Sequence, residues 1–124
     1  MAEDFSTMFS DDSEVVTLAP GQMLFEKGEP GQVMYVVKSG ELQIVDGNHV
    51  YETVSTGGII GEMALVERGP RSAGVRASKQ SVVIPVDERR FIFMVQQTPF
   101  FALRLMKVMS ARLRAMNERA RNSA

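Results

Sequence analysis

Apolar residues in the first two thirds of the chain come in short runs cut by glycine and proline. Met23-Leu24-Phe25, Val33 to Lys38, Glu41 to Val45 and Val50 to Val54 are bounded by Pro20-Gly21, Glu29-Pro30-Gly31, Ser39-Gly40, Asp46-Gly47 and Gly57-Gly58. Short β-branched and aromatic runs punctuated in this way predict antiparallel strands, because the turn residues supply the chain reversals that hairpins need. Two more runs, Ala73 to Ala77 and Ser81 to Val86, follow the interval from Gly57 to Ser72. About eight strands in all are enough for a jelly roll or small barrel.

Past Val86 the period changes. Asp87 is placed to cap a helix that turns Phe91, Met94 and Val95 inward, and Thr98-Pro99 reads as an N-cap followed by proline at the first helical position. In the helix that follows, Ala102, Met106, Met109, Leu113, Met116 and Ala120 alternate in steps of four and three, an a/d seam. Phe101, Leu105 and Val108 widen that stripe over the front half, whereas Arg112 and Arg119 flank it further on, so the back half offers only a narrow seam. Ordinary core packing and a ligand or dimer surface are both open to such a methionine-rich stripe. The expected fold is mainly β with flanking α: an eight-stranded antiparallel β roll over residues 14–86, two C-terminal helices over 87–124, and an acidic segment over 1–13, together one domain.

Composition narrows the function classes. A chain of 124 residues matches one domain with its own core. The absence of cysteine removes disulfide frameworks, thiolate zinc sites and cysteine nucleophiles. A single histidine, His49 at the hairpin tip Asp46-Gly47-Asn48-His49, reads as plain surface and cannot supply a multi-histidine metal site or a Ser-His-Asp hydrolase. For Ser110 no base is in view. Net charge is −1, without the basic excess of a nucleic-acid binder. The charge is uneven: Glu3, Asp4, Asp11, Asp12 and Glu14 crowd the start, read as a loose arm or short helix, and Arg104, Lys107, Arg112, Arg114, Arg119 and Arg121 face a single Glu118 at the end. That basic end reads as the solvated face of a helix or as a partner-binding face. Without an apolar leader or a long apolar run, a cytoplasmic location away from the membrane is expected.

The interval from Gly57 to Ala73 is too long for a hairpin turn, and loops of that length in a compact domain are usually functional. Glu62-Met63-Ala64-Leu65 reads as one helical turn whose first N–H groups face outward for an anion. Arg71 adds a planar fork of donors suited to phosphate oxygens, and Ser72 adds a hydroxyl. Glu62 suits a sugar hydroxyl; a helix-start carboxylate in a plain ion pair with Arg71 is the other reading of the same residues.

Gly61-Glu62-Met63-Ala64-Leu65 followed by Pro70-Arg71-Ser72-Ala73 resembles the phosphate-binding cassette of cyclic nucleotide-binding domains, the sensor domains of protein kinase A regulatory subunits and of the bacterial catabolite activator protein. Phe25-Glu26-Lys27-Gly28-Glu29-Pro30-Gly31 and Tyr35 to Leu42 resemble the family's first hairpins, so the similarity runs over about residues 14 to 120. The resemblance implies that Arg71 grips the exocyclic oxygens of a 3′,5′-cyclic phosphate with help from Ser72 and the backbone N–H of Ala64. By the same resemblance Glu62 and the backbone of Gly61 hold the ribose 2′-hydroxyl, and Ile60 and Met63 form apolar wall. Met116 and Asn117 fall where the catabolite activator brings two hydroxyl residues to adenine; Asn117 offers hydrogen bonds to the base edge, and Met116 or Arg112 offers a surface for stacking.

The function expected is a non-enzymatic cyclic-nucleotide receptor, for cAMP rather than cGMP, needing no cofactor, whose C-terminal helix moves on binding and signals to a separate effector protein, with no DNA-binding domain in this chain. A degenerate β-roll interaction module is the alternative. A cupin-like metalloenzyme lacks its ligands, and a nucleic-acid binder would rest on the basic end alone. Three methionines on fewer than three heptads favour a monomer over a C-helix dimer.

Overall fold

Alternation of buried and exposed positions sorts the strands onto sheets. The computed structural model describes residues 5, 9, 14–67 and 69–123. It divides into two compact units, Met1–Arg89 and Arg90–Ala124.

In the first unit the strands are β1 (Val16–Leu18), β2 (Met23–Phe25), β3 (Pro30–Gly31), β4 (Val33–Ser39), β5 (Glu41–Asp46), β6 (His49–Ser55), β7 (Ile59–Ile60), β8 (Gly69–Pro70), β9 (Gly74–Ala77) and β10 (Ser81–Asp87), with a one-turn helix α1 (Met63–Val66) between β7 and β8. One sheet runs β1-β10-β4-β7 and the other β2-β9-β5-β6, while β3 and β8 pair apart. All pairings are antiparallel. Two sheets of four make the eight-stranded roll that the turn spacing predicts. Leu18, Val37, Ile60 and Val83 from one sheet meet Phe25, Leu42, Val54, Val75 and Ala77 from the other in a single buried cluster.

All six runs read as strands are strands, with ends shifted by about one residue. The four extra ones, β1, β3, β7 and β8, have two or three residues each. Too short to show a two-residue period, they are fixed by pairing, and β7 and β8 lie within the interval read as a loop. Phe5 is fully buried and donates its N–H to the Gly57 carbonyl at 2.7 Å. Apart from Phe5 and Phe9, the expectation for the acidic segment 1–13 falls outside the described residues.

Helix α2 (Glu88–Gln97) begins directly after Asp87, and α3 (Phe100–Ser123) directly after Thr98-Pro99. The Thr98 N–H closes on the Met94 carbonyl at 2.8 Å, and the Phe101 N–H on the Thr98 carbonyl at 2.8 Å. Within this second unit the rings of Phe91 and Phe101 meet edge-on, with centroids 5.5 Å apart. The buried stripe of α3 is Phe101 and Leu105 with half-buried Val108, the set expected only to widen the seam. Of the seam itself, Ala102 and Met109 are half-buried like Val108, whereas Met106, Leu113 and Met116 are 61%, 60% and 58% exposed. One helix face buries larger apolar surface than its neighbour, and the three aromatic and branched residues occupy it. Among the described residues, no helix is long and apolar enough to cross a membrane.

Candidate functional site

The site is built by a strand that ends in a left-handed residue. Ile59 and Ile60 pair with Val36 and Tyr35 of β4, which buries both isoleucines and brings the chain to Gly61. Gly61 has φ +74°, and a Cβ there would come within 2.7 Å of Arg71 Nη1 and 3.5 Å of Phe25 Cε2. Backbone conformation and crowding each require glycine. The chain then turns helical at Glu62 (φ −62°, ψ −28°), whose carboxylate makes no capping bond to α1 and is buried. The Ala64 N–H donates to the Gly61 carbonyl at 3.1 Å and the Leu65 N–H to the Glu62 carbonyl at 3.1 Å. The turn thus satisfies two of its own donors, including the Ala64 N–H expected to face a phosphate. Met63, expected as pocket wall, is 41% exposed, whereas Ile60 is fully buried.

Arg71 enters from the far side of the interval. Its N–H donates to the Glu29 carbonyl at 2.8 Å, and its carbonyl accepts the Gly28 N–H at 2.8 Å. The residue is 9% exposed. Nη2 donates to the Val33 carbonyl at 2.8 Å and Nη1 more weakly to the Gly61 carbonyl at 3.4 Å. The guanidinium carbon lies 4.0 Å from the centroid of the Phe25 ring. Nε is buried with no hydrogen-bond partner. The plain ion pair between Glu62 and Arg71 is therefore not what forms: the donors of Arg71 go to main-chain carbonyls. Burial pulls the pKa of Arg71 below its ordinary value, and the nearby Tyr35 and Glu29 offset part of that pull.

Ser72 follows, exposed. Arg68 of the same interval lies outside the described residues. On α3, Arg112 is half-buried, and Met116 and Asn117 are exposed in the second unit, described by itself. His49 is an exposed tip residue whose ring meets Tyr51 edge-on with centroids 4.5 Å apart, and Ser110 accepts a weak bond from Arg114 at 3.4 Å. Phe25, Gly31 and Val33 surround Arg71 and are not sequence-predicted site residues. No local spacing links them to it, since each belongs to a different strand.

Comparison with known proteins identifies the family. The family model for the cyclic nucleotide-binding domain matches residues 15–98. An uncharacterised NTE family protein of Mycobacterium tuberculosis is 33% identical over 94 residues, 75% of this chain and 16% of that protein. A cAMP-dependent protein kinase regulatory subunit of Hypocrea atroviridis is 32% identical over 66% of this chain and 18% of its own length. A cGMP-dependent protein kinase of Toxoplasma gondii is 32% identical over 58% of this chain and 7% of its own length. The chain thus spans less than a fifth of each of these relatives. The crystal structure of the Thermus thermophilus catabolite activator protein superimposes with a TM-score of 0.76 at 22% identity, covering 87% of this chain and 53% of that one. With the family model matched over residues 15–98 and the fold shared with the catabolite activator protein, the chain belongs to the cyclic nucleotide-binding domain family.

Proposed function

We propose that the chain is a non-enzymatic cyclic-nucleotide receptor that binds cAMP and passes the signal to a separate protein. The observation that carries this reading is Arg71: a buried cation, without a carboxylate partner among the described residues and with an orphaned Nε, beside the Gly61–Ala64 turn. A buried charge left in this condition favours an anion of matching geometry, and a phosphate offers paired oxygens to a planar fork. Arg71 and Ser72 take the exocyclic oxygens, and the Ala64 N–H exchanges its Gly61 partner for the phosphate. Glu62 and the backbone of Gly61 take the ribose 2′-hydroxyl. Ile60 and Met63 supply apolar wall. Roles for Arg112, Met116 and Asn117 at the base, and movement of α3 on binding, rest on the sequence resemblance alone.

Equal identity, 32%, to a cAMP-dependent and a cGMP-dependent relative keeps cGMP as the second reading. Calorimetric titration of the purified chain with cAMP, cGMP and 5′-AMP separates the possibilities. Binding of cAMP ahead of cGMP, with no binding of the open 5′-phosphate, is the expected result. Preference for cGMP moves the ligand assignment, and no heat from either cyclic nucleotide at millimolar concentration leaves an interaction module with a dead pocket.

A further inference from the structure

What holds Arg71 in place lies outside the cassette. Its backbone is tied to the Gly28–Glu29 turn by two hydrogen bonds, and the neighbouring residues pair as Pro30 with Pro70 and Gly31 with Gly69. Its guanidinium carbon sits over the Phe25 ring, itself packed against Tyr35 with centroids 6.2 Å apart and planes 30° from parallel. Gly31 crowds the same group. A Cβ built on Gly31 would fall on Nε and Cζ, and within 2.7 Å of Nη2. Any side chain there would therefore displace the group. Gly31 is not among the residues with positive φ, so space and not backbone conformation demands glycine there.

We propose that Phe25 and Gly31 form a slot that fixes the plane of the Arg71 guanidinium, making both of them positioning residues for the phosphate contact. The proposal rests on the reading of Arg71 as that contact. All five donors of a guanidinium lie in its plane, so a group whose plane is held can present them only along its rim. Val33 and Gly61 take part of that rim, and the unpartnered Nε lies on the remainder. The Phe25 face also compensates part of the burial of the cation, alongside the nearby Tyr35 and Glu29. Fixing the side chain before the ligand arrives removes an ordering cost from binding.

Calorimetry with cAMP on the full chain, on Phe25→Leu, on Gly31→Ala and on Val83→Ala tests the slot, with thermal melts to confirm folding. Val83 is a fully buried core valine on β10, a strand that supplies none of the groups bonded to or stacked on the guanidinium of Arg71. The slot variants should each bind cAMP about tenfold more weakly, and Val83→Ala within about twofold of wild type despite its lost stability. If Phe25→Leu fails to fold, Gly31→Ala carries the test. Slot variants that bind like wild type, or a core variant that weakens binding as much as they do, overturn the slot while leaving the receptor reading intact. In an Arg71→Lys background, read by ligand-observed NMR, the Phe25→Leu penalty should shrink below twofold, because an ammonium has no plane to hold. An undiminished penalty overturns the proposal. A wild-type chain that binds neither cAMP nor cGMP removes the receptor reading and the slot together.

Discussion

A guanidinium taken out of water without a carboxylate bonded to it carries a desolvation cost that main-chain carbonyls and an aromatic face only partly offset. Arg71 is in that position, with two carbonyls, the Phe25 ring and a bare Nε. Its removal should therefore cost binding far more than folding. Arg71→Ala is expected to weaken cAMP by 30-fold to a few thousand-fold, the consequence of roughly 2–5 kcal/mol for truncating one partner of a buried charge contact, while the thermal melt stays cooperative. An affinity within threefold of wild type would take Arg71 out of the site. Glu62 is assigned to a neutral hydroxyl, and its test pairs a protein change with a ligand change. Glu62→Ala should weaken cAMP by about tenfold or more, as for a hydrogen bond to a charged group, and should leave 2′-deoxy-cAMP affinity unchanged from wild type. A 2′-deoxy ligand that wild type prefers to cAMP ends that assignment.

At the level of elements, α3 divides in two. Its front carries the buried Phe101 and Leu105, and the Phe91–Phe101 contact anchors it within its own unit. From Ser110 to Asn122 every residue is exposed except the half-buried Arg112 and Arg119. Little apolar burial holds that half, so its amides should open locally and exchange quickly. The proposed receptor role adds a ligand-dependent expectation: saturating cAMP should slow hydrogen exchange across residues 110–121, because only an interaction made better in one state shifts the population. Protection that does not rise would exclude this half of α3 from signalling and direct attention to the cassette. The narrow seam that the sequence shows past Leu113 corresponds to this weakly buried half. The seam's exposed methionines were not legible as exposed, since a 3-4 spacing names a face without saying which of two adjacent faces the molecule covers.

For the whole molecule, a ligand held by the folded chain alone must raise its stability. At a cAMP concentration about 100 times Kd the linkage adds roughly 2.7 kcal/mol, which for a chain of this size moves the melting temperature upward by roughly 10 °C. Arg71→Ala should show almost none of that shift, and an equal shift in the variant would mean that cAMP binds elsewhere. The sequence by itself determined the strands with a full period of alternation, the two helices after Asp87 and Pro99, and the cassette at Gly61–Leu65 and Pro70–Ala73. Turn chemistry, capping and motif spacing act between near neighbours, and near neighbours can be read along a line. Tertiary structure alone decided that β3 and β8 leave the roll to pair with each other, that Phe5 seals against Gly57, that the Ala64 N–H turns back onto Gly61, and that Arg71 lies against Phe25 and Gly31 instead of pairing with Glu62. Each of these depends on which carbonyls, rings and open spaces the fold brings together from distant strands, and a buried cation takes the partners that the fold places around it.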